Sequence, residues 1–437
     1  MALANRVTRR FTAVVRLGPV ILFIKPVKST CRGWKVGAAF GFILICFCAA
    51  SEVLANQPPS KIPATVYWNR VARDLVRSDA LSPPHAARVY GYLSVGQYRA
   101  LLALRRESHW RGGAVDEEQL SRRVISAASE IILESFFPRY AIKLSETYGE
   151  FEAGWYVGGQ RLDRASDRLA DVLGHAAAIS ILRRAEHDGA TYPRPITLPE
   201  GPNLWRNQPD RRPVEPTWGE VRPLGVASIE DIPLEEPPKV GSTRFREAIE
   251  VVRKMASGAG RVELDSVSEW ADDAGTATPP GHWNAIAEEI ANSYNLDEAR
   301  TVQLFALLNV ALFDASIVCW RTKYRYFYPR PSQMDPTIDT HLSVPNFPSF
   351  TSGHATFSGA AAAILAFLFP AESTKLAHLA ESAAMSRVYA GIHYPFDSEV
   401  GLRQGRAVAQ LVISQAIDLG ERFYTDVRQN PQFNTEQ

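Results

Sequence analysis

The stretch FPSFTSGHATFSGAAAAILAFLF, residues 347–369, reads as a helix start followed by a closely packed helix body. Ser352 has the hydroxyl of an N-cap residue, and the small and apolar residues from Ala355 to Phe369 keep a helical apolar spacing. At such a start Gly353 and His354 expose backbone N–H groups at the positive end of the helix dipole, which makes an anion site. His354 stands at its rim and is suited to proton transfer near pH 7. Read alone, the segment is also compatible with a plain capped helix and an incidental histidine.

Two flanking segments add to it. Upstream, WRTKYRYFYPRP (residues 320–331) places Lys323 and Arg330 at the end of the apolar run 299–318. Two helical turns would bring both cations to one face, pointing at one anion. Pro329 and Pro331 stop the helix there and leave Arg330 in a fixed extended segment. Alone, this is also a solvated basic helix end. Downstream, SRVYAGIHYPFD (residues 386–397) ends one helix at Arg387 and begins another near Pro395. Gly391 permits the tight segment between them, which carries His393. Asp397 then falls within reach of His393, and a carboxylate on Nδ1–H leaves the Nε2 lone pair free. Alone, this is also a structural Asp–His pair. Together the segments supply three cations, two histidines, one orienting acid and a helix N-terminus. Such a set suits a tetrahedral oxyanion, and it comes without a Walker-type loop or an acidic cluster for Mg²⁺.

The rest of the chain reads as helical. Apolar spacing predicts helices at 66–76, 86–104, 120–137, 162–184, 245–255, 299–318, 355–369, 376–389 and 400–417, and period-two alternation is scarce. Of 437 residues, 46% are hydrophobic and 22% charged, which excludes disorder over most of the length. Past residue 60 no uninterrupted apolar run has the ~18 residues of a membrane span. Eight of the 48 Lys/Arg and one of the 47 Asp/Glu lie in residues 1–55, leaving 40 against 46 in 56–437. That mildly acidic body argues against nucleic-acid binding. The basic front precedes an apolar run, Val36 to Ala50, and the small-residue end Val53-Leu54-Ala55. This is the order of a signal peptide, cleaved or retained as an anchor, so the expected location is periplasmic or extracellular, with membrane contact only through this segment. Eleven of the 29 prolines fall between 190 and 241. That stretch is a linker or a long wrapping segment, and Trp205 and Trp218 suggest that it packs on the helices. The expected division is therefore 1–55 targeting, 56–189 helical, 190–241 Pro-rich and 242–437 helical, with the site in the last part. His341 is a further candidate to approach that site. His109, His175 and His187 read as surface residues, and His282 as part of a helix start.

Lys323-x6-Arg330-Pro331, Ser352-Gly353-His354 and Ser386-Arg387-x5-His393-x3-Asp397 resemble the three signature segments of the type 2 phosphatidic acid phosphatase and vanadium haloperoxidase superfamily. One position departs from the pattern: the proline usual before Ser-Gly-His is Thr351. More loosely, Tyr67-Trp68-Asn69, the run from Pro83 to Arg88 and the run from Pro279 to Trp283 resemble segments of exported bacterial members. The resemblance implies an all-α fold of packed helix bundles. It implies His393 as the axial vanadate ligand, or as the nucleophile that forms a phosphohistidine, with Asp397 orienting it. Lys323, Arg330, Arg387, Ser352 and the Gly353 N–H would hold the equatorial oxygens, and His354 would be the acid/base. Trp320 and Phe347 match aromatic positions that would form a halide pocket. Two activities follow. One is halide oxidation by hydrogen peroxide with vanadate as cofactor; the other is hydrolysis of a small phosphoester without a cofactor. A non-catalytic oxyanion- or partner-binding protein is the third reading.

Overall fold

The computed structural model describes residues 62–111, 117–155, 162–191 and 194–418, so the expected targeting segment lies outside the described residues. The helices in chain order are α1 (Ala64–Ser78), α2 (Pro83–Arg111), α3 (Glu117–Phe136), α4 (Ala141–Trp155), α5 (Arg164–Ala185), α6 (Thr243–Ser257), α7 (Arg261–Glu269), α8 (Thr278–Ser293), α9 (Glu298–Tyr326), α10 (Gly353–Leu368), α11 (Ser373–Tyr389) and α12 (Pro395–Asp418). Among the described residues β-structure is limited to one isolated bridge, Ala274 to Thr276. The fold is all-α, as the apolar spacing predicts. Three helices go beyond that spacing: α4, α7 and α8. α7 has only nine residues. α8 opens on Thr278-Pro279-Pro280-Gly281, the helix start that the sequence suggests beside His282, with the prolines in the first helical turn, where a missing N–H costs nothing.

The apolar run at 299–318 becomes α9, the axis on which the other elements are laid. Asp297 caps it by accepting the Arg300 N–H at 2.8 Å, and Phe327, at φ 45°, ends it in the left-handed region. By length and composition α9 does qualify as a membrane span, although polar residues interrupt its apolar run. Most of it is buried inside the protein, so it is a core helix. α2 packs on one side of α9, and α10 and α12 on another, so the two helical parts share a core. A buried polar chain crosses that core. Asn69 Nδ2 donates to Asn284 Oδ1 (2.7 Å), Asn284 Nδ2 to Asn309 Oδ1 (2.7 Å) and Asn309 Nδ2 to Ser94 Oγ (2.9 Å). Glu298, at the start of α9, accepts from the Ala64 and Thr65 N–H groups at 2.5 and 3.0 Å and so caps α1 from a distant part of the chain.

The Pro-rich segment is a wrapping strap. Its prolines donate nothing, and N–H groups between them are met by α9. Buried Asp314 accepts from the N–H groups of Leu224, Gly225 and Val226 at 2.7–2.8 Å. Burial pushes the Asp314 carboxyl up to about 6, and the three N–H donors oppose that by favouring the charged form. Trp218 Nε1 donates to Ser316 Oγ (2.8 Å), and the Trp205 N–H to the Phe327 carbonyl (2.6 Å). Both indoles are buried.

α10 and α12 meet across glycines. A Cβ on Gly405 would lie 2.1 Å from the Thr356 carbonyl oxygen, and one on Gly359 would lie 2.4 Å from that of Leu402. The obstacles are backbone atoms that cannot rotate away. Gly405→Ala is therefore expected to destabilise the protein by about 1–3 kcal/mol or more, through a forced separation of the two helices that carry the site. Thermal unfolding against wild type measures this; an unchanged midpoint would contradict the close crossing.

Candidate active site

The three segments singled out in the sequence converge at one end of the α10–α12 pair. α9 ends just beyond Trp320 and Lys323, before Arg330 is reached, so the two cations do not share a helical face. Arg330 is extended (φ −72°, ψ 152°) and leads into the single turn Pro331–Met334. Ser352 caps α10, its Oγ accepting the Ala355 N–H at 3.4 Å. Its own N–H donates to the Asp397 carbonyl at 3.0 Å, tying the starts of α10 and α12 together. Gly391, at φ 73°, makes the turn between α11 and α12, which L side chains would strain.

His393 and Asp397 form a buried pair, Nδ1 to Oδ2 at 2.8 Å. On the other side of the ring, Arg330 Nη1 lies 3.0 Å from His393 Nε2. A guanidinium can only donate, so Nε2 is the acceptor and the ring proton sits on Nδ1. The lone pair therefore points at Arg330, away from the carboxylate. Asp397 Oδ2 also accepts from Ser349 Oγ (2.5 Å) and the Tyr394 N–H (3.1 Å), while Oδ1 is buried without a partner. Burial pushes the Asp397 carboxyl up to about 6, and the Ser349 bond is the largest effect in the opposite direction.

The cations differ in what they hold. Lys323 Nζ donates to the carbonyls of Pro348 (3.0 Å), Ser349 (3.0 Å) and Thr351. All three ammonium protons thus organise the loop before α10, and Lys323 lies behind the cleft wall. Burial pushes it down to about 7. Arg330 donates through Nε to the Phe347 carbonyl (3.1 Å) and through Nη1 to the Ile392 carbonyl (2.8 Å), whereas its buried Nη2 has no partner. The Phe347 ring sits between the two cations, 4.8 Å from Lys323 Nζ and 4.9 Å from the Arg330 guanidinium carbon. Arg387 is held by the carbonyls of Val267 (3.2 Å) and Ala271 (3.4 Å). Burial lowers both guanidinium groups to about 10.

Gly353, His354, Arg387 and His393 line a cleft of about 790 Å³, together with Trp320 and Phe347, whose rings are 5.2 Å apart. Thr351, in place of the expected proline, is buried and bonds through Oγ1 to Gln404 of α12 at 2.9 Å. His354 Nε2 is buried without a hydrogen bond, and Asp272 Oδ2 lies 3.9 Å away. The expectation that His354 is poised near pH 7 is corrected here. Burial first, then Arg387 and His282, hold its pKa well below the ordinary value, so it is neutral at pH 7. His393 is likewise held well down by burial, Arg330 and Lys323.

The structure also brings in residues that the sequence reading did not select. Asp272 and Asp273 reach the cleft from the turn before α8, and Asp210 to Arg212 reach it from the strap. Asn346 fastens the strap there, donating through Nδ2 to the Arg212 carbonyl and Asn207 Oδ1, both at 2.9 Å. Ser349, deep beside the His–Asp pair, carried no sequence signal beyond lying three residues before Ser352. His341 faces elsewhere, its Nε2 2.8 Å from the Ala256 carbonyl oxygen. His282 stacks on Trp270 at 4.2 Å and bonds Asp272 at 3.1 Å, near the start of α8. His175 and His187 are exposed, and the His109 side chain lies outside the described residues.

A site with several cations and two neutral histidines takes up protons when an anion enters, because the anion favours their charged forms. Affinity for sulfate, a dianion throughout the range, is therefore expected to rise as pH falls from about 8 to 6. Calorimetry in buffers of different ionisation enthalpy should show net proton uptake. Equal affinity at both ends, with no uptake, would contradict it.

With this geometry in view, comparison with known proteins gives a consistent result. Residues 303–420 match the PAP2 superfamily. The vanadium chloroperoxidase of Curvularia inaequalis is 29% identical in an alignment of 206 residues that covers 37% of this chain and 33% of that protein, so the match spans only about a third of the relative. A bacterial vanadium-dependent iodoperoxidase has a similar structure, with a TM-score of 0.63 and 23% identity over 80% of this chain and 95% of its own. The holo form of a bacterial vanadium-dependent chloroperoxidase gives 0.61 and 13%, covering 79% of this chain and 93% of its own.

Proposed function

We propose that this chain, which carries a PAP2-superfamily segment over residues 303–420, is a vanadate-dependent haloperoxidase acting on hydrogen peroxide and halide. The observation that carries the proposal is the arrangement around His393 Nε2: a lone pair fixed by Asp397 behind it and by a donor-only guanidinium in front, at the floor of a cleft faced by Trp320 and Phe347. The named relatives, a fungal chloroperoxidase and bacterial iodo- and chloroperoxidases, support the same reading.

The residues present suit vanadate. Arg330 Nη2 is a buried donor without a partner, and Arg387 and the start of α10 face the same cleft, the chemistry an oxyanion needs. In our reading Arg330, Arg387, Ser352 and the Gly353 N–H would hold its oxygens, Lys323 shapes the loop that presents them, and His393 Nε2 would bind it directly. Bound vanadate supplies the Lewis-acidic centre at which peroxide becomes reactive toward halide. The chain's own residues do the rest. Arg330 would give up its bond to Nε2 to an oxyanion, while Asp397 holds the ring proton on Nδ1. His354, neutral and with no hydrogen bond at Nε2, would become the proton acceptor on the cleft side once a bound anion offsets the Arg387 charge that holds its basicity down. The Trp320 and Phe347 rings exclude water where a halide would sit. The basic-then-apolar order of residues 1–55 makes export part of the proposal.

The phosphatase reading keeps one specific support. The same lone pair and donors suit phosphoryl transfer to His393, forming a phosphohistidine, because a five-coordinate phosphoryl centre needs the same equatorial donors. A paired assay on the purified chain separates the two. One arm follows bromide and chloride oxidation with peroxide after loading with orthovanadate. The other follows aryl phosphate hydrolysis without vanadate. Halide oxidation in the loaded enzyme is expected. Its absence beside robust hydrolysis would overturn the haloperoxidase reading in favour of the phosphatase.

A further inference from the structure

We propose that Ser349 is a positioning residue for the oxyanion site: its hydroxyl fixes the Asp397 carboxylate and thereby the tautomer of His393. The inference deepens the function proposed above and rests on that reading for its kinetic part only. Ser349 is fully buried and lies where three constraints meet. Its Oγ donates to Asp397 Oδ2 at 2.5 Å and lies 3.4 Å from His393 Nδ1. Its carbonyl accepts from Lys323 Nζ at 3.0 Å, and its N–H donates to the Tyr328 carbonyl at 2.9 Å. The backbone is thus clamped on both sides, so the hydroxyl has one place to point.

The hydrogen-bond inventory then decides the protonation pattern. Asp397 Oδ2 faces three groups: the Ser349 hydroxyl, His393 Nδ1 and the Tyr394 N–H. The Tyr394 N–H can only donate, and Arg330 on the far side of the ring can only donate to Nε2. The pattern that satisfies all of them has a charged carboxylate taking three hydrogen bonds on one oxygen, with the imidazole proton on Nδ1. Without the hydroxyl, Asp397 has two donors for a buried charge and is free to rotate toward its unpartnered Oδ1. The ring then loses its fixed orientation. Ser349 acts through Asp397 and touches no reacting atom.

The test uses the full chain, with Ser349→Ala and Ser349→Cys as variants; cysteine keeps a weak donor of similar size. Circular dichroism confirms folding. Affinity for orthovanadate and for inorganic phosphate is measured by calorimetry on protein free of oxyanion. The His393 tautomer is read from ¹⁵N chemical shifts of histidine-labelled protein, with the signal assigned by its loss in His393→Ala. Losing one hydrogen bond to a buried charge predicts about a 10- to 100-fold weaker vanadate affinity in Ser349→Ala, with kcat reduced in similar proportion and the KM for peroxide nearly unchanged. Ser349→Cys should fall between wild type and alanine, and the His393 signal should move from one Nδ1–H tautomer toward a mixture. A folded Ser349→Ala protein with wild-type vanadate affinity and an unchanged His393 signal overturns the proposal. If wild type shows neither halide oxidation nor hydrolysis, the functional reading fails, and affinity and tautomer still decide the role of Ser349.

Discussion

His393→Ala is expected to lower turnover by as much as about 10⁶-fold, as when a nucleophile is removed from a constellation that acts as a unit. No other side chain among those lining the cleft offers a fixed lone pair at the same point. His354 is the other histidine there, and it stands across the cleft on α10, where the Asp272 carboxylate faces it. The substitution also separates two kinds of binding. Sulfate is held by cations and N–H groups that the variant keeps, so its affinity should fall only modestly. On the proposed reading vanadate would additionally need the bond from Nε2, so its affinity should fall much further. Removing the ring leaves Asp397 with Ser349 and Tyr394 as donors and opens a cavity, so the melting temperature should drop as well. Calorimetric titration of both anions, with circular dichroism as the folding control, makes the comparison. Equal losses for vanadate and sulfate would show that His393 is one more electrostatic contributor and not an axial ligand.

How much of this was legible in sequence depends on the distance over which each interaction acts. The helical body was legible because a period of 3.6 is local, and the Ser352 cap and the reach from His393 to Asp397 lie within one or two turns. The strap was half legible. Its prolines announced irregular backbone, but its anchor is Asp314, an acid inside an apolar helix about 90 residues away, whose partners are backbone N–H groups that any sequence would supply. Lys323 shows a different limit. Its spacing from Arg330 suggested two cations aimed at one anion, yet α9 ends between them, and burial directs the ammonium to three carbonyls of the 348–351 loop. The pKa of His354 is not legible for a related reason: the ordinary imidazole value assumes water, and this ring is enclosed beside Arg387 and His282. Ser349, Asp272 and Asp273 are common residue types at positions without periodicity, so only three-dimensional proximity marks them.

Asp397→Asn is expected to preserve the fold and impair the chemistry by as much as about 10⁴-fold, the loss seen when the orienting acid of a catalytic triad is neutralised. The geometry explains both halves. All three hydrogen bonds to the Asp397 carboxylate arrive at Oδ2, so an asparagine with its carbonyl oxygen there can accept from Ser349, His393 and Tyr394. Its NH₂ group then occupies the place of Oδ1, which has no partner in the wild type, at a modest desolvation cost. Stability should therefore change little, and removing a buried carboxylate even offsets part of that cost. What disappears is the negative charge that compensates Lys323, Arg330 and any positive charge developing on the imidazole. An asparagine turned the other way would present NH₂ to Nδ1 and select the opposite tautomer, placing a proton on Nε2 against the Arg330 N–H. Either orientation weakens the Nε2 lone pair. Steady-state rates with peroxide and halide, and with an aryl phosphate, should show the loss mainly in kcat, while the far-ultraviolet spectrum and melting temperature stay near wild type. A loss below about tenfold, in a protein with unchanged vanadate affinity, would mean that Asp397 serves the start of α12 and that Ser349 and Arg330 alone orient the ring.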